Sequence, residues 1–145
     1  MSDARRFVLD TNVLVSAALL PEEGVRRRYE PTRLCVAIAR RDGVLLASDA
    51  TLAELRAVLL RPAFDHLKPR AAREAFLAAI EAEAERVEPA EAVRLCSDPD
   101  DDMFLAVALS GHADVLLTED KAVLALRTVA TTRILRPIAF ARQSG

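Results

Sequence analysis

Tryptophan is absent from this 145-residue chain, and only one tyrosine, two cysteines, two histidines and four glycines are present. With so few rings there is no set of aromatic platforms, so base stacking is not expected to dominate any nucleic-acid binding. Cys35 and Cys96 show no metal-ligand spacing, and both lie in apolar segments, where each reads as a small buried hydrophobe. His66 and His112 are isolated and far in sequence from the acids, which sets aside a histidine general base. No apolar run approaches the ~18 residues of a membrane span. Met1–Arg6 is polar and the run from Phe7 breaks at Asp10, so no signal peptide is read and a cytoplasmic protein without membrane contact is expected. A net charge of −2 argues against non-specific duplex binding. The total still allows a local acidic site with a basic surround, since 20 basic residues meet 22 acidic ones.

What remains is a chain that is 52% apolar and 29% charged, long enough for one domain over residues 1–145 with a real core. RFVLD reads as a strand ending at Asp10, and TNVLVSAALL as a buried helix stopped by Pro21. PEEGVRRRYEPTR reads as a charged loop, and LCVAIARRDG as a helix with Gly43 just past its end. VLLAS is a second strand, DATLAELRAVLL a helix, and Pro69 to Arg86 a long Ala- and Glu-rich helix. VEP reads as a short edge strand, Asp100 to Gly111 as a helix and ADVLLT as a third clear strand. Asp120 to Leu126 reads as a short helix, TTRIL as a fourth clear strand and PIAFAR as a terminal helical turn. Strands that alternate with helices predict α/β layers around a mostly parallel sheet. The strands are near-continuous apolar runs, as expected when both faces are covered.

Four aspartates crowd into CSDPDDDMFLAVAL, at 98, 100, 101 and 102. Like charges this close either cap a helix and face water, or surround a cation. In open parallel sheets, ligands bind outside the carboxyl ends of the strands. Asp10 ends the first strand, and Asp120 follows VLLTE. Asp102 begins one helix, and Glu54 lies one turn inside another. All four can therefore converge on one edge. Each also has a plainer role: Asp10 or Asp120 as a helix cap, Glu54 on a solvated face, and Asp98, Asp100 and Asp101 on the helix dipole. Capping alone does not require four elements to present acids on one edge. Converging carboxylates resist joint ionisation unless a cation offsets them. Mg²⁺, with its oxygen ligands, suits such a site, and a carboxylate-held metal suits phosphodiester hydrolysis.

FVLDTNVLVSA, TLAEL, DPDDDMFLAVAL and DVLLTED, in this order and spacing, resemble the motifs of PIN-domain ribonucleases, most closely the bacterial (VapC-like) toxins of toxin–antitoxin pairs. The resemblance runs from Phe7 to about Phe140. It implies a three-layer α/β/α sandwich on a mostly parallel sheet. It implies Mg²⁺- or Mn²⁺-dependent cleavage of single-stranded RNA by an activated water. Asp10, Glu54, Asp102 and Asp120 would be catalytic, with Asp10, Asp102 and Asp120 as metal ligands. Asn12, Asp101 and Thr118 would be accessory. A small antitoxin partner and a homodimer or higher oligomer are also implied.

Two departures stand out. TEDKA places Ala122 where relatives often carry a second acid. The PEEGVRRRYEPTR segment looks longer than usual and has three consecutive arginines, Arg26–Arg28, read either as a solvated loop or as an RNA-backbone or partner contact. The missing acid keeps a second reading open, a non-catalytic PIN-fold scaffold that binds RNA or protein. A phosphoaspartyl phosphatase would want Asp at position 12, where Asn12 stands.

Overall fold

The segment RFVL forms β1 (Arg6–Leu9) at the centre of a six-stranded sheet, and every other element is arranged around it. The computed structural model describes residues 4–90 and 99–144. After β1 come α1 (Thr11–Leu19), α2 (Glu30–Asp42), β2 (Val44–Ala47), α3 (Asp49–Leu59), α4 (Arg70–Glu83) and β3 (Glu85–Arg86). Then follow α5 (Pro99–Ser110), β4 (Val115–Leu117), α6 (Lys121–Leu124), β5 (Thr128–Val129), β6 (Thr132–Leu135) and α7 (Pro137–Ser144). The strand order is β3-β2-β1-β4-β6-β5, parallel throughout except for β5, which pairs antiparallel with β6.

Alternation along the strands divides the core in two. Phe7, Leu9, Leu45, Ala47, Val115 and Leu117 face α1, α2, α3, α4 and α7. Val8, Leu46, Leu116 and Ile134 face the other way, against α5 and α6. Successive strand residues point to opposite faces, so both sides of the sheet are buried and the strands need no polar positions. The three-layer α/β/α expectation therefore holds.

Local sequence explains most boundaries. Ser48 opens α3 with a capping box: its hydroxyl accepts the Thr51 N–H at 3.1 Å, and the Thr51 hydroxyl accepts the Ser48 N–H at 3.0 Å. Leu52, Leu55 and Leu59 then bury one face of α3. Gly43 is needed for close approach rather than for turning, because a Cβ there would lie 2.5 Å from the Phe7 ring.

Four expectations are corrected. Helix α2 starts at Glu30, inside the segment read as a loop, because Pro31 occupies the first turn, where a missing N–H costs nothing. A 3₁₀ turn at Arg27–Tyr29 leads into it. The edge strand is Glu85–Arg86 rather than VEP, and α4 correspondingly ends at Glu83. Strand β5 was not expected; its hairpin turns through Ala130 with φ 52°, and Arg127 stands at φ 62°, so no glycine marks it. The terminal turn is a full helix, α7, whose Phe140 ring meets Phe7 edge-on at 5.5 Å. Cys96 and Asp98 lie outside the described residues. Cys35 is buried as expected; burial pushes its thiol up to about 11, and Sγ donates to the Pro137 carbonyl at 3.0 Å.

Candidate active site

The order of the strands fixes where a ligand can enter. From β1 the chain moves to β2 and β3 with helices on one face; it then crosses by α5, on the other face, to β4. The direction of winding therefore reverses between β1 and β4. In open sheets of this kind the ligand site lies outside the carboxyl ends of the strands at such a reversal. Asp10 follows β1, and Thr118 follows β4.

These two residues meet. The Thr118 hydroxyl, fully buried, donates to Asp10 Oδ2 at 2.7 Å and accepts the Asp120 N–H at 3.0 Å. The backbones are joined as well: the Asp10 N–H donates to the Leu117 carbonyl at 3.0 Å. Asp10 stands at the N-cap position of α1 yet makes no side-chain cap bond. Its carboxylate is turned to Thr118 instead, so the capping role does not account for it. Burial raises its proton affinity above that of an ordinary carboxylate. The bond from Thr118 and the nearby Thr11 backbone amide oppose this, and the charges of Glu54 and Asp120 add to it. Asp10 thus senses both other acids.

Glu54 is half-buried and accepts a hydrogen bond from the Thr11 hydroxyl, which ties α3 to the start of α1. It is not a freely solvated side chain. Thr11 is a residue that sequence reasoning missed; only its place beside Asp10 pointed to it. Asp120 does cap a helix: its Oδ1 accepts the N–H groups of Ala122 at 2.8 Å and Val123 at 3.4 Å. Its Oδ2 makes no hydrogen bond among the described residues. Neither Asp10, Glu54 nor Asp120 forms a salt bridge among the described residues.

Helix α5 approaches the same edge from the opposite face. Its far end lies at the start of β1, where Arg6 Nε donates to the Gly111 carbonyl at 2.9 Å. Its first turn, with Asp101 and Asp102, therefore lies toward the carboxyl edge, about 18 Å away. Both are buried, at 9% and 7% exposure, whereas Asp100 is exposed. Asp101 does not face water, which corrects the plainer reading given to it. Asn12 is exposed on the first turn of α1, beside Asp10.

The donors are all hard oxygens, which fit a hard divalent cation in kind. Among the described residues, however, no three His, Cys, Asp or Glu side chains are gathered tightly enough to hold a metal by themselves. A bound cation would take its remaining ligands from water or from a substrate phosphate, as Mg²⁺ commonly does.

Residues 6–122 match the PIN domain family. The chain belongs to that family. No curated protein matches its sequence. Two solved structures share the fold of this PIN domain. One is VapBC2 from Rickettsia felis, bound to a DNA fragment from its promoter, at 12% identity and a TM-score of 0.54, covering 90% of this chain and 98% of that one. The other is VapC20 from Mycobacterium tuberculosis, a sarcin–ricin loop cleaving toxin, at 15% identity and a TM-score of 0.55, covering 88% of this chain and 98% of that one. At such identities the likeness establishes the fold alone. No helix among the described residues of this PIN domain is long and apolar enough to cross a membrane.

Proposed function

We propose that this PIN domain is a divalent-metal-dependent endoribonuclease that cuts single-stranded RNA, working in the cytoplasm as the toxin of a toxin–antitoxin pair. One observation carries the reading. A buried carboxylate, Asp10, is held by Thr118 at the switch point of the sheet, within the field of Glu54 and Asp120 and without a salt bridge among the described residues. A fold tolerates such a cluster most readily when a cation shares it.

Asp10, Asp102 and Asp120 would hold Mg²⁺ or Mn²⁺, with Glu54 as the fourth catalytic acid. When bound, the cation supplies positive charge that offsets the acids and stabilises charge building on the phosphate under attack. The remaining work falls to the chain. Thr118 fixes the rotamer of Asp10, and Thr11 fixes Glu54. Helix α6 holds one oxygen of Asp120 and leaves the other for a ligand. Asn12 offers an exposed amide, donor and acceptor both, to the substrate beside Asp10. Asp101 is an accessory acid next to Asp102. A small antitoxin that inserts an Arg fork among these carboxylates would inhibit the enzyme.

The test is cleavage of a fluorescent single-stranded RNA by rigorously purified protein. EDTA should abolish it and Mn²⁺ or Mg²⁺ restore it, while Asp10→Asn should stay inactive in either metal. Full cleavage in EDTA refutes the metal mechanism. No cleavage under any condition, with RNA still bound, favours the non-catalytic scaffold. That alternative has one specific support: Ala122 stands where relatives often carry a further acid.

A further inference from the structure

Five exposed arginines are matched by an acid: Arg33 by Glu30, Arg41 by Asp42, Arg56 by Glu81, Arg70 by Glu74 and Arg86 by Asp49. Arg5, Arg61, Arg127, Arg133, Arg136 and Arg142 are exposed without a salt bridge among the described residues, but they are scattered along the chain, whereas Arg26, Arg27 and Arg28 are consecutive. All three are exposed, and none forms a salt bridge among the described residues. Glu22 and Glu23 are close in sequence and exposed, yet they do not pair with them there. The run stands as unneutralised positive charge in a chain of net charge −2.

Its position links it to the acids. Asn12, Ser16 and Leu20 are spaced four apart, so Asn12 and Ser16 share one face of α1, and that face continues to Leu20 at its C-cap. This face runs about 12 Å away from Asp10. Two clefts lie along it and share Ser16 and Tyr29. The nearer, of about 370 Å³, is lined by Arg28, Thr32, Ile138 and Glu119, the neighbour of Asp120. The farther, of about 320 Å³, is lined by Arg26, Leu20 and Leu67. Tyr29 holds Arg28 in place: the guanidinium lies 4.7 Å from the ring centre and donates to the phenol oxygen at 2.8 Å. Such a fork is ordered in advance, and its remaining donors suit a phosphate. Each cleft offers one large exposed apolar side chain, Ile138 or Leu67, too few for the spaced anchors of an amphipathic helix.

We propose that Arg26, Arg27 and Arg28, with Tyr29 orienting Arg28, form the strip that binds the phosphates of a single RNA strand as it leads away from the acidic site. The assignment rests on the nuclease reading for its substrate class. Its test does not require cleavage. A fluorescent 2′-O-methyl RNA oligonucleotide is titrated against the full chain in EDTA, at several salt concentrations, by anisotropy. Replacing all three arginines by Gln should weaken binding at least tenfold near 0.1 M salt. It should also flatten the slope of log K against log[salt] by about 2, since each phosphate contact on a single strand contributes about 0.7. Replacing the paired Arg41, Arg56 and Arg70 by Gln removes the same formal charge and should change both quantities much less. The single variant Arg27→Glu should show the same direction as the triple one. Melting curves within 2–3 °C of the parent, the small change expected for exposed sites, check that each variant folds. Unchanged affinity and slope in the triple variant overturn the proposal and point the run to a protein partner; equal losses in the control variant overturn it too. If binding follows this pattern while no RNA is ever cut, the strip stands and the nuclease reading falls.

Discussion

Replacing Thr118 by Val removes one hydroxyl from a fully buried position and keeps the side chain's shape. Two bonds are lost. One is a charge-assisted bond to Asp10, worth about 1.5–3 kcal/mol, and the other satisfies the Asp120 N–H, which costs about 1–3 kcal/mol when left unmade. Some relaxation and water entry reduce the sum, so a destabilisation of about 2–4 kcal/mol is expected. For a domain of this size that lowers Tm by roughly 6–16 °C. The loss should be larger at pH 7 than near pH 4, because a protonated Asp10 gives up only a neutral bond. Thr118→Ser keeps the hydroxyl and should recover most of the difference. Cleavage should fall in the Val variant even well below its Tm, since Asp10 then lacks its orienting partner. Calorimetry across pH 4–8 with a parallel RNA assay measures both. A Val variant that melts within 2 °C of the parent at pH 7 and cuts RNA normally would sink the argument, because Thr118 would then be neither supporting nor orienting Asp10.

Asp10→Asn should raise Tm at neutral pH, because the fold holds the Asp10 proton more tightly than the unfolded chain does. The ionised group therefore costs stability above its raised pKa. The advantage of Asn should fade as pH falls toward the ordinary carboxylate range, which a fluorimetric melt at several pH values reads directly. Gly43→Ala should destabilise by about 1–3 kcal/mol, because the new methyl meets the Phe7 ring and the Ala39 carbonyl at 3.0 Å. Denaturant melts that leave the midpoint unmoved would contradict that geometry. Arg73→Lys should cost about 3 kcal/mol or more by the same measurement. The fully buried guanidinium donates to the carbonyls of Leu59, Arg61 and Lys68 and to Asp65, a set that one ammonium cannot reach.

The legible parts of the fold were those with strong local patterns. RFVL and VLLA are apolar runs bounded by breaks, and both became strands at the sheet centre. Asp10 and Asp120 could be placed on one edge because they follow strands, a matter of chain order alone. Their bonding could not be read, since Thr118 reaches Asp10 across 108 positions. Pro31 misled as a breaker because the same residue starts helices as well as ending them. The β5–β6 hairpin carried no turn signal, since it bends at Ala130. Arg73 gave no sign of burial within an Ala- and Glu-rich helix; only the carbonyls left open after α3 explain why a charge lies inside. Asp101 and Asp102 look like any acidic first turn until the packing of α5 on the sheet buries them.

The hydrogen bonds that seat Asp10 and Thr118 also set how the site moves. The Asp10 N–H is bonded to Leu117 and the Thr118 N–H to Leu135, within the ladders of the central strands. Amides of this kind exchange with solvent only when the whole domain opens. Residues 21–28 donate no backbone hydrogen bond among the described residues, and their amides should exchange through local opening. The acidic edge is therefore as stiff as the sheet, while the backbone of the arginine segment can adjust at little cost. Under the proposed nuclease function, the reaction geometry would stay constant while varied RNA paths are accommodated by deformation at the margin. Exchange measured by mass spectrometry would show the two rates differing most between peptides that adjoin each other in sequence, on either side of α1.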